Sequence, residues 1–371
     1  MPFRVIFEPQ LDESRGDLRL HFKDAYSILE TAISDRAFPG CAFGVLLDGR
    51  VVLEDALGKF TYDQNAPSVS TQTLFDVASL TKVIATTAAA MLLHQRGVLD
   101  LEMPVGELLP GFVIGREASE HARKVTVRHL LAHSSGLPGY VPLFHAATSP
   151  SEIVRGCLNL PIQAEPGTRA EYSDPGFILL GKAIEALTGE SLATFVHREV
   201  AIPLGLTHTG FCPPNFIRHE IPPTEEDELF RQRQIQGEVQ DEHAYVMKGV
   251  AGHAGIFSNV PDLLRFSQAI LEPDTYTLFR PETVQLFSQR QLPLGSSRAL
   301  GWDTPSVDSS SGSFFAPESI GHLGYSGCSL WIDRKSGIAI VLLTNRTWPH
   351  RESQKIRIVR PLFHDAIRSI A

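Results

Sequence analysis

A serine and a lysine three residues apart could form a nucleophilic pair. Ser79 and Lys82 open the stretch SLTKVIATTAAAMLLHQR, residues 79–96, whose alanines and leucines favour a helix. Residues three apart lie on one helix face, so the two side chains should be neighbours. A serine hydroxyl becomes a nucleophile when a base takes its proton. Lys82 can be that base if its pKa falls from about 10.4 toward neutrality. The alternative is that Ser79 is only an N-cap.

A tyrosine further along the chain could share the proton transfer. Tyr172 stands in Tyr172-Ser173-Asp174, directly before the helical pattern PGFILLGKAIEALTG. A phenol close to Lys82 can relay a proton to or from the serine. The alternative is a structural junction in which Asp174 caps the helix and Pro175 takes its first position. Both readings hold at once if the cap keeps the tyrosine in place.

A glycine-rich stretch near the C-terminal end could complete the site. His322-Leu323-Gly324-Tyr325-Ser326-Gly327 precedes the strand-like run SLWI, and glycine lets a backbone approach a ligand closely. We expect the backbone N–H of Tyr325 to face that of Ser79, so that the two donate to an oxyanion. Without other signals, a glycine-rich strand entry would explain the same residues.

The elements that must position these residues are a sheet and its helices. Residues 22–35 have helical spacing, and CAFGVLL and RVVLEDALG flank Asp48-Gly49 as in a β-hairpin. A second hairpin is predicted at SLWI and IAIVLLTN, and a final helix within 351–370. We predict an α+β fold in which an antiparallel β-sheet is flanked by N- and C-terminal helices and interrupted by a large all-α insertion. The expected domain boundaries are 1–75 and 286–371 for the sheet domain and 76–285 for the insertion.

Composition excludes several other classes of protein. The 371 residues allow two or three domains. A net charge of −9 argues against nucleic acid as a partner. No apolar run is long enough for a membrane span. The N-terminal residues lack a hydrophobic signal region, so we expect a cytoplasmic protein. The oligomeric state stays open.

Cofactor chemistry finds no support in the sequence motifs. No HExxH or Cys/His ligand spacing occurs among the 14 histidines and four cysteines, so no metal site is predicted. Neither a nucleotide-binding glycine loop nor the GxSxG sequence of α/β-hydrolases is present. We therefore expect a serine-based reaction without a cofactor.

The three chemical motifs occur in an order typical of one superfamily. FDVASLTKV, YSDPGFILLG and GHLGYSGCSLWID resemble the S-x-x-K, Y-x-N and K-T-G or H-x-G motifs of the serine β-lactamases and penicillin-binding proteins. The nearest branch is that of class C β-lactamases, related esterases and DD-peptidases. The resemblance covers residues 22–350 and implies the β-lactamase/transpeptidase-like fold.

The resemblance implies a role for each matching residue. Ser79 would be acylated, Lys82 would act as the base, and Tyr172 would move protons. His322 takes the place of the K-T-G lysine, and Tyr325 follows Gly324 as the second oxyanion donor.

Two positions depart from the lactamase pattern. Asp174 stands where the lactamases have Asn; it can bind a cationic substrate group or pair with His322, whereas a carboxylate beside Lys82 would favour the ammonium. A neutral His322 would tolerate substrates without a carboxylate. Asp241 and His253, together with Glu225, are further candidates for substrate binding, because their segment also resembles family sequence.

These observations predict a serine hydrolase that works through an acyl-enzyme. The substrate is expected to be a small molecule or short peptide: a D-alanyl peptide or muropeptide, a small ester or a β-lactam. The alternatives are a true class C-like β-lactamase and a catalytically silent module that binds muropeptides.

Overall fold

The computed structural model describes residues 15–114 and 120–370; residues 1–14 of the first predicted domain lie outside the described residues. Ten strands occur in the described ranges: β1 Gly40–Leu47, β2 Arg50–Gly58, β3 Phe75–Asp76, β4 Gly210–Phe211, β5 Glu225–Asp227, β6 Arg233–Ile235, β7 Ile256–Ser258, β8 Ile320–Leu323, β9 Ser329–Asp333 and β10 Ile338–Thr344.

Helices account for most of the remaining regular structure. The α-helices are α1 Arg15–His21, α2 Lys23–Ser34, α3 Ala88–Gln95, α4 Val105–Leu108, α5 Glu120–Lys124, α6 Val127–Leu131, α7 Pro150–Leu158, α8 Asp174–Thr188, α9 Leu192–Val196, α10 Ile202–Leu204, α11 Glu242–Val246, α12 Val260–Leu271, α13 Pro273–Tyr276, α14 Pro281–Ser288 and α15 Ile356–Arg368. No helix in the described ranges has the length and apolar composition that crossing a membrane requires.

The two ends of the chain build one antiparallel sheet, as predicted. Its strand order is β2-β1-β10-β9-β8, so strands from both ends pair in the middle and β8 forms one edge. The two predicted hairpins are β1–β2 and β9–β10. The α+β fold class and the flanking terminal helices are therefore confirmed.

Side chains alternate between the two faces of the sheet, and each face is buried against its own hydrophobic core. In β1, Ala42 and Leu46 belong to the large core shared with the inserted helices, whereas Phe43 and Val45 belong to a smaller core with α2 and α15. This period of two is the normal geometry of a strand. Gly44 lets α12 pack closely, since a Cβ there would come within 2.6 Å of the Val260 side chain.

The middle of the chain is mostly, but not wholly, helical. The strands β3, β7 and β4 form a small sheet, and β5 pairs with β6. These short strands were not expected in an all-α insertion. The acidic run at residues 225–228 would be expected to form a solvated loop, but that expectation is wrong in part, because Glu225 and Asp227 are buried in β5. Each is paired with an arginine, Glu225 with Arg351 and Asp227 with Arg231, which offsets the cost of burying the charge.

Candidate active site

The segment that carries Ser79 is an irregular helix start. Residues 78–80 form a 3-10 turn, residues 82–87 a π-helical turn, and α3 follows at Ala88. The sequence predicted a regular helix, and that is wrong for the first two turns. Ala78 has φ +47°, an uncommon value for a residue with a side chain. It is held there by Asp76, whose Oδ1 accepts the Ala78 N–H at 2.8 Å.

Lys82 lies at the centre of the site. Its side chain is fully buried, and Nζ lies 3.0 Å from Ser79 Oγ, 2.7 Å from Asp174 Oδ1 and 3.2 Å from the His253 carbonyl oxygen. The amine thus meets three separate parts of the chain. The predicted neighbourhood of Ser79 and Lys82 is present in the structure.

The charge on Lys82 differs from the sequence expectation. Burial lowers the pKa of its amine, but the carboxylate of Asp174 and the phenol of Tyr172 outweigh burial, and the pKa is raised above its usual value. The resting group is an ammonium. A neutral resting amine is therefore not what the structure indicates, and the lysine must lose a proton before it can accept one from Ser79.

Tyr172 covers the other side of the amine. Lys82 Nζ lies 4.7 Å from the centre of the Tyr172 ring. Burial raises the pKa of the phenol, which is consequently neutral at rest, while hydrogen bonding to Lys82 and Ser79 opposes that rise. A neutral hydroxyl between amine and serine can pass a proton in either direction.

Asp174 is free to pair with Lys82 because its neighbour caps the helix. The cap of α8 is Ser173, whose Oγ accepts the Gly176 N–H at 3.1 Å. The alternative interpretation of the sequence, in which Asp174 caps the helix, is therefore wrong. The Asp174 carboxylate forms an ion pair with Lys82, and no pairing of Asp174 with His322 is seen among the described residues.

The edge strand β8 brings the glycine-rich stretch to the serine turn. A Cβ on Gly324 would lie only 2.4 Å from the Val77 carbonyl oxygen, so glycine is needed for this approach. Among the described residues, the backbone N–H groups of Ser79 and Tyr325 donate to no protein acceptor. Both donors are thus available for a ligand, as an oxyanion hole requires. The Tyr325 ring is half exposed and lies against Arg346.

His322 is a buried neutral imidazole. Burial, followed by the nearby charges of Lys82 and Arg298, holds its pKa well below the usual value. Its Nδ1 lies 2.8 Å from the Leu323 carbonyl oxygen, while its buried Nε2 has no hydrogen-bond partner among the described residues. The expectation of a neutral histidine in place of the family's lysine agrees with this environment.

The other proposed binding residues divide into two groups. Asp241 and His253 meet directly, with Oδ1 and Nε2 separated by 2.8 Å, and the His253 carbonyl touches Lys82. Glu225 instead belongs to an ion cluster with Arg351 and accepts from Gln240 at 3.0 Å. A structural role explains Glu225 better than substrate binding.

Sequence reasoning missed three residues near the centre. The ring of His133 lies 4.6 Å from that of Tyr172, and its Nδ1 accepts the Ser173 N–H at 2.9 Å. The Arg298 guanidinium lies 5.2 Å from the centre of the Tyr172 ring. His243 lies beside Asp241 and His253. No motif marks Arg298, whereas His243 shares the family-like segment that drew attention to Asp241.

Comparison with known proteins agrees with this geometry. The family described as Beta-lactamase matches residues 23–362. The chain belongs to the β-lactamase family. The names of its relatives show that it is a hydrolase of that family. It is 32% identical over 348 residues to an N-acetylmuramyl-L-alanine amidase of Bacillus subtilis (strain 168), covering 83% of this chain and 77% of the relative. It is 30% identical over 355 residues to an Escherichia coli (strain K12) protein provisionally named a D-alanyl-D-alanine carboxypeptidase, covering 85% and 80%.

Solved structures of other proteins share the fold of this β-lactamase-family chain. One is EstCE1, a hydrolase with promiscuous acyltransferase activity, with a TM-score of 0.77, 22% identity and coverage of 95% of this chain and 99% of that one. Another is the octameric penicillin-binding protein homologue from Pyrococcus abyssi, with a TM-score of 0.69, 21% identity and coverage of 87% and 73%. At these identities the likeness concerns the fold alone.

Proposed function

We propose that this protein is a serine hydrolase that forms an acyl-enzyme at Ser79 and cleaves a D-alanyl peptide or a muropeptide. The observation that carries the proposal is the placement of one buried amine, Lys82 Nζ, within hydrogen-bond distance of both Ser79 Oγ and Asp174. A structural lysine has no need of a serine partner on a strained turn, whereas nucleophilic catalysis needs that pair.

The proton inventory sets the order of the proposed steps. Lys82 is an ammonium and Tyr172 a neutral phenol at rest. Loss of one proton to solvent gives the reactive form, in which Lys82 accepts the Ser79 proton as Oγ attacks the carbonyl carbon. The N–H groups of Ser79 and Tyr325 stabilise the oxyanion. Tyr172 then passes the proton to the leaving group, and water releases the acyl group by the reverse route.

Arg298 supports a substrate that ends in a carboxylate. The neutral His322 supplies no positive charge, and Lys82 is already paired with Asp174. The Arg298 guanidinium lies over Tyr172. Within the described residues its ion partner is Asp303, at 3.6 Å, which is longer than a good hydrogen bond. An arginine fork binds a carboxylate in two places at once. The names of the amidase and carboxypeptidase relatives favour the same cell-wall peptides.

Ester hydrolysis is the second candidate. A buried neutral His322 at the sheet edge favours acyl groups that carry no carboxylate, and the fold is shared with the hydrolase EstCE1. The same acyl-enzyme steps apply to an ester. The two candidates therefore differ in specificity and share their chemistry.

Covalent labelling tests the proposed function directly. The protein is incubated with a fluorophosphonate and, separately, with a fluorescent penicillin, and the intact mass is measured. We expect one adduct per chain in the wild type and none in Ser79→Ala. Turnover of D-alanyl peptides, small esters and β-lactams by both proteins then ranks the substrates. Full turnover by Ser79→Ala would contradict the proposal, because another group would then carry the reaction. The absence of both adduct and turnover in the wild type with every probe would also contradict it and would favour a silent binding module.

A further inference from the structure

Three ligand-type side chains cluster behind the lysine. Asp241 precedes α11, His243 lies within it, and His253 lies in the loop before β7. One ligand atom from each residue lies within 4.8 Å of the other two, and both histidines are almost fully buried. We propose that Asp241, His243 and His253 form a binding site for one Zn²⁺ ion. Two imidazoles and one carboxylate are a donor set that zinc commonly takes in proteins, with a fourth position left for water.

The histidine nitrogens support an ion better than a closed hydrogen-bond network. His243 Nδ1 and His253 Nδ1 are buried and have no hydrogen-bond partner among the described residues. Buried polar atoms without partners are uncommon in folded proteins and call for an explanation. An ion held by His243 Nδ1 and His253 Nε2 would account for the first of these two atoms.

The backbone around His243 offers Nε2 both a donor and an acceptor. Nε2 lies 3.1 Å from the Leu143 backbone nitrogen and 2.9 Å from the Val141 carbonyl oxygen, and a proton on Nε2 that is donated to Val141 would leave the lone pair on Nδ1 for an ion. Metal-binding histidines typically donate their other ring N–H to such a carbonyl. The rings of Tyr140 and Phe144 pack against the same imidazole and limit its rotation.

Asp241 is also held in place. Its Oδ1 accepts the Ala244 N–H at 2.8 Å as the cap of α11 and faces His253 Nε2. A bound ion would occupy the position between Asp241 Oδ1 and His253 Nε2, with the ring proton of His253 on Nδ1 and any displaced proton released to solvent. Ligand atoms around tetrahedral zinc lie about 3.3 Å apart, as follows from bonds of about 2.0 Å. A small rotation of the side chains therefore closes the site.

The position of the site suggests what an ion would do. The carbonyl oxygen of His253 accepts from Lys82 Nζ at 3.2 Å. An ion that ties His253 to α11 would fix this carbonyl and, through it, the amine. Asp241, His243 and His253 would then be positioning residues for Lys82. Metal binding itself does not depend on the proposed hydrolase reaction.

The test measures binding without turnover. Metal-free full-length protein is titrated with Zn²⁺ by calorimetry, and with Co²⁺ while the visible absorption is recorded. We expect one equivalent of each, and the Co²⁺ form should show the intense bands of a four- or five-coordinate ion with nitrogen ligands. Absence of saturable Zn²⁺ binding to the wild type at micromolar concentration would overturn the proposal.

Two variants locate the site. Asp241→Asn keeps an oxygen that can cap α11, and His243→Gln keeps an N–H for the Val141 carbonyl. Each should weaken Zn²⁺ binding by about 100-fold or more, because even the loss of an outer partner costs about 10–100-fold. The control is His219→Gln, since the His219 side chain is 75% exposed and lies outside the cluster. Binding that is equally tight in all four proteins would place the ion elsewhere and overturn the assignment, and a melting temperature within a few degrees of wild type confirms that each variant folds.

Discussion

Two parts of the chain face Ser79, a helical wall and a wall formed by the edge strand β8, and they differ in how they carry charge. The helical wall holds a buried ion pair, Lys82 with Asp174, which touches the serine. The wall formed by the edge strand β8 presents a neutral imidazole at His322 and two backbone features: the close approach at Gly324 and the N–H of Tyr325, which has no acceptor in the described part of the chain. The helical wall therefore carries the charged side chains, whereas the β8 wall contributes a neutral ring and backbone groups.

This difference separates proton transfer from the positioning of the oxyanion and the substrate. A change in the helical wall alters which groups hold protons, so we expect it to act on kcat and on the pH profile. A change in the wall of β8 alters where the oxyanion and the substrate lie, so it should act on the placement of the acyl group. Four substitutions can break or sharpen this comparison.

The largest effect is expected for Lys82→Ala. It removes the base and leaves Asp174 without its partner, so kcat should fall about 10⁴-fold, the upper end for loss of a general base. Breaking a buried pair also costs about 3 kcal/mol of folding free energy. The double variant Lys82→Ala/Asp174→Asn should regain much of that stability and none of the activity. Lys182→Ala is the control, because Lys182 pairs with Glu185 near the surface. Activity restored in the double variant would contradict the role of Lys82.

The second-largest effect is expected for a substitution in the β8 wall. A methyl group at Gly324 would meet the Val77 carbonyl at 2.4 Å, so Gly324→Ala must push the strand away from the serine turn. Loss of one oxyanion donor costs about 10²–10³-fold in rate. We expect this loss in kcat with a small change in KM. In Gly210→Ala the added methyl has no neighbour within 4 Å, so that variant should keep wild-type rates. Equal rates in both variants would show that the approach of β8 does not set the oxyanion site.

Local sequence patterns explain why most of this frame could be predicted. The apolar runs of β1 and β10 and the Asp48-Gly49 turn are contained within short segments, which predict the strands and the β1–β2 hairpin, whereas the pairing of β1 with β10 joins the two ends of the chain. The spacing of Ser79 and Lys82 on one helical turn is equally local. These features do not depend on the rest of the fold.

The remaining features of the site depend on tertiary contacts. Ser173 and Asp174 are adjacent and both can cap a helix, and only the presence of Lys82, 92 positions earlier, decides between them. The raised pKa of Lys82 has the same origin. Arg298 reaches Tyr172 from a loop with no motif. Sequence spacing cannot show which distant side chains share one buried space.

A shift in the pH profile is the third expected effect. Asp174 is the main group that raises the pKa of Lys82, so Asp174→Asn leaves burial to lower it. The free amine then persists to lower pH, and the acid limb of kcat/KM should move down by about 1–3 pH units. On that limb, each pH unit of downward shift raises the rate measured at a fixed pH about tenfold. Rates across pH 5–10 measure the shift, with the exposed Asp24→Asn as the control. An unchanged limb would mean that a group other than Lys82 titrates.

The smallest effect should appear in specificity. His322→Lys introduces an ammonium on the β8 wall, where the present imidazole is neutral because burial disfavours its charged form. For paired substrates that differ only in a carboxylate or its methyl ester, the ratio of kcat/KM should shift about tenfold toward the carboxylate, which is about 1.4 kcal/mol. His322→Gln, which adds no charge, is the matched control. An unchanged ratio would show that the substrate carboxylate lies away from β8. Arg298 would then be the group that binds the carboxylate, and Arg298→Gln should lower the same ratio.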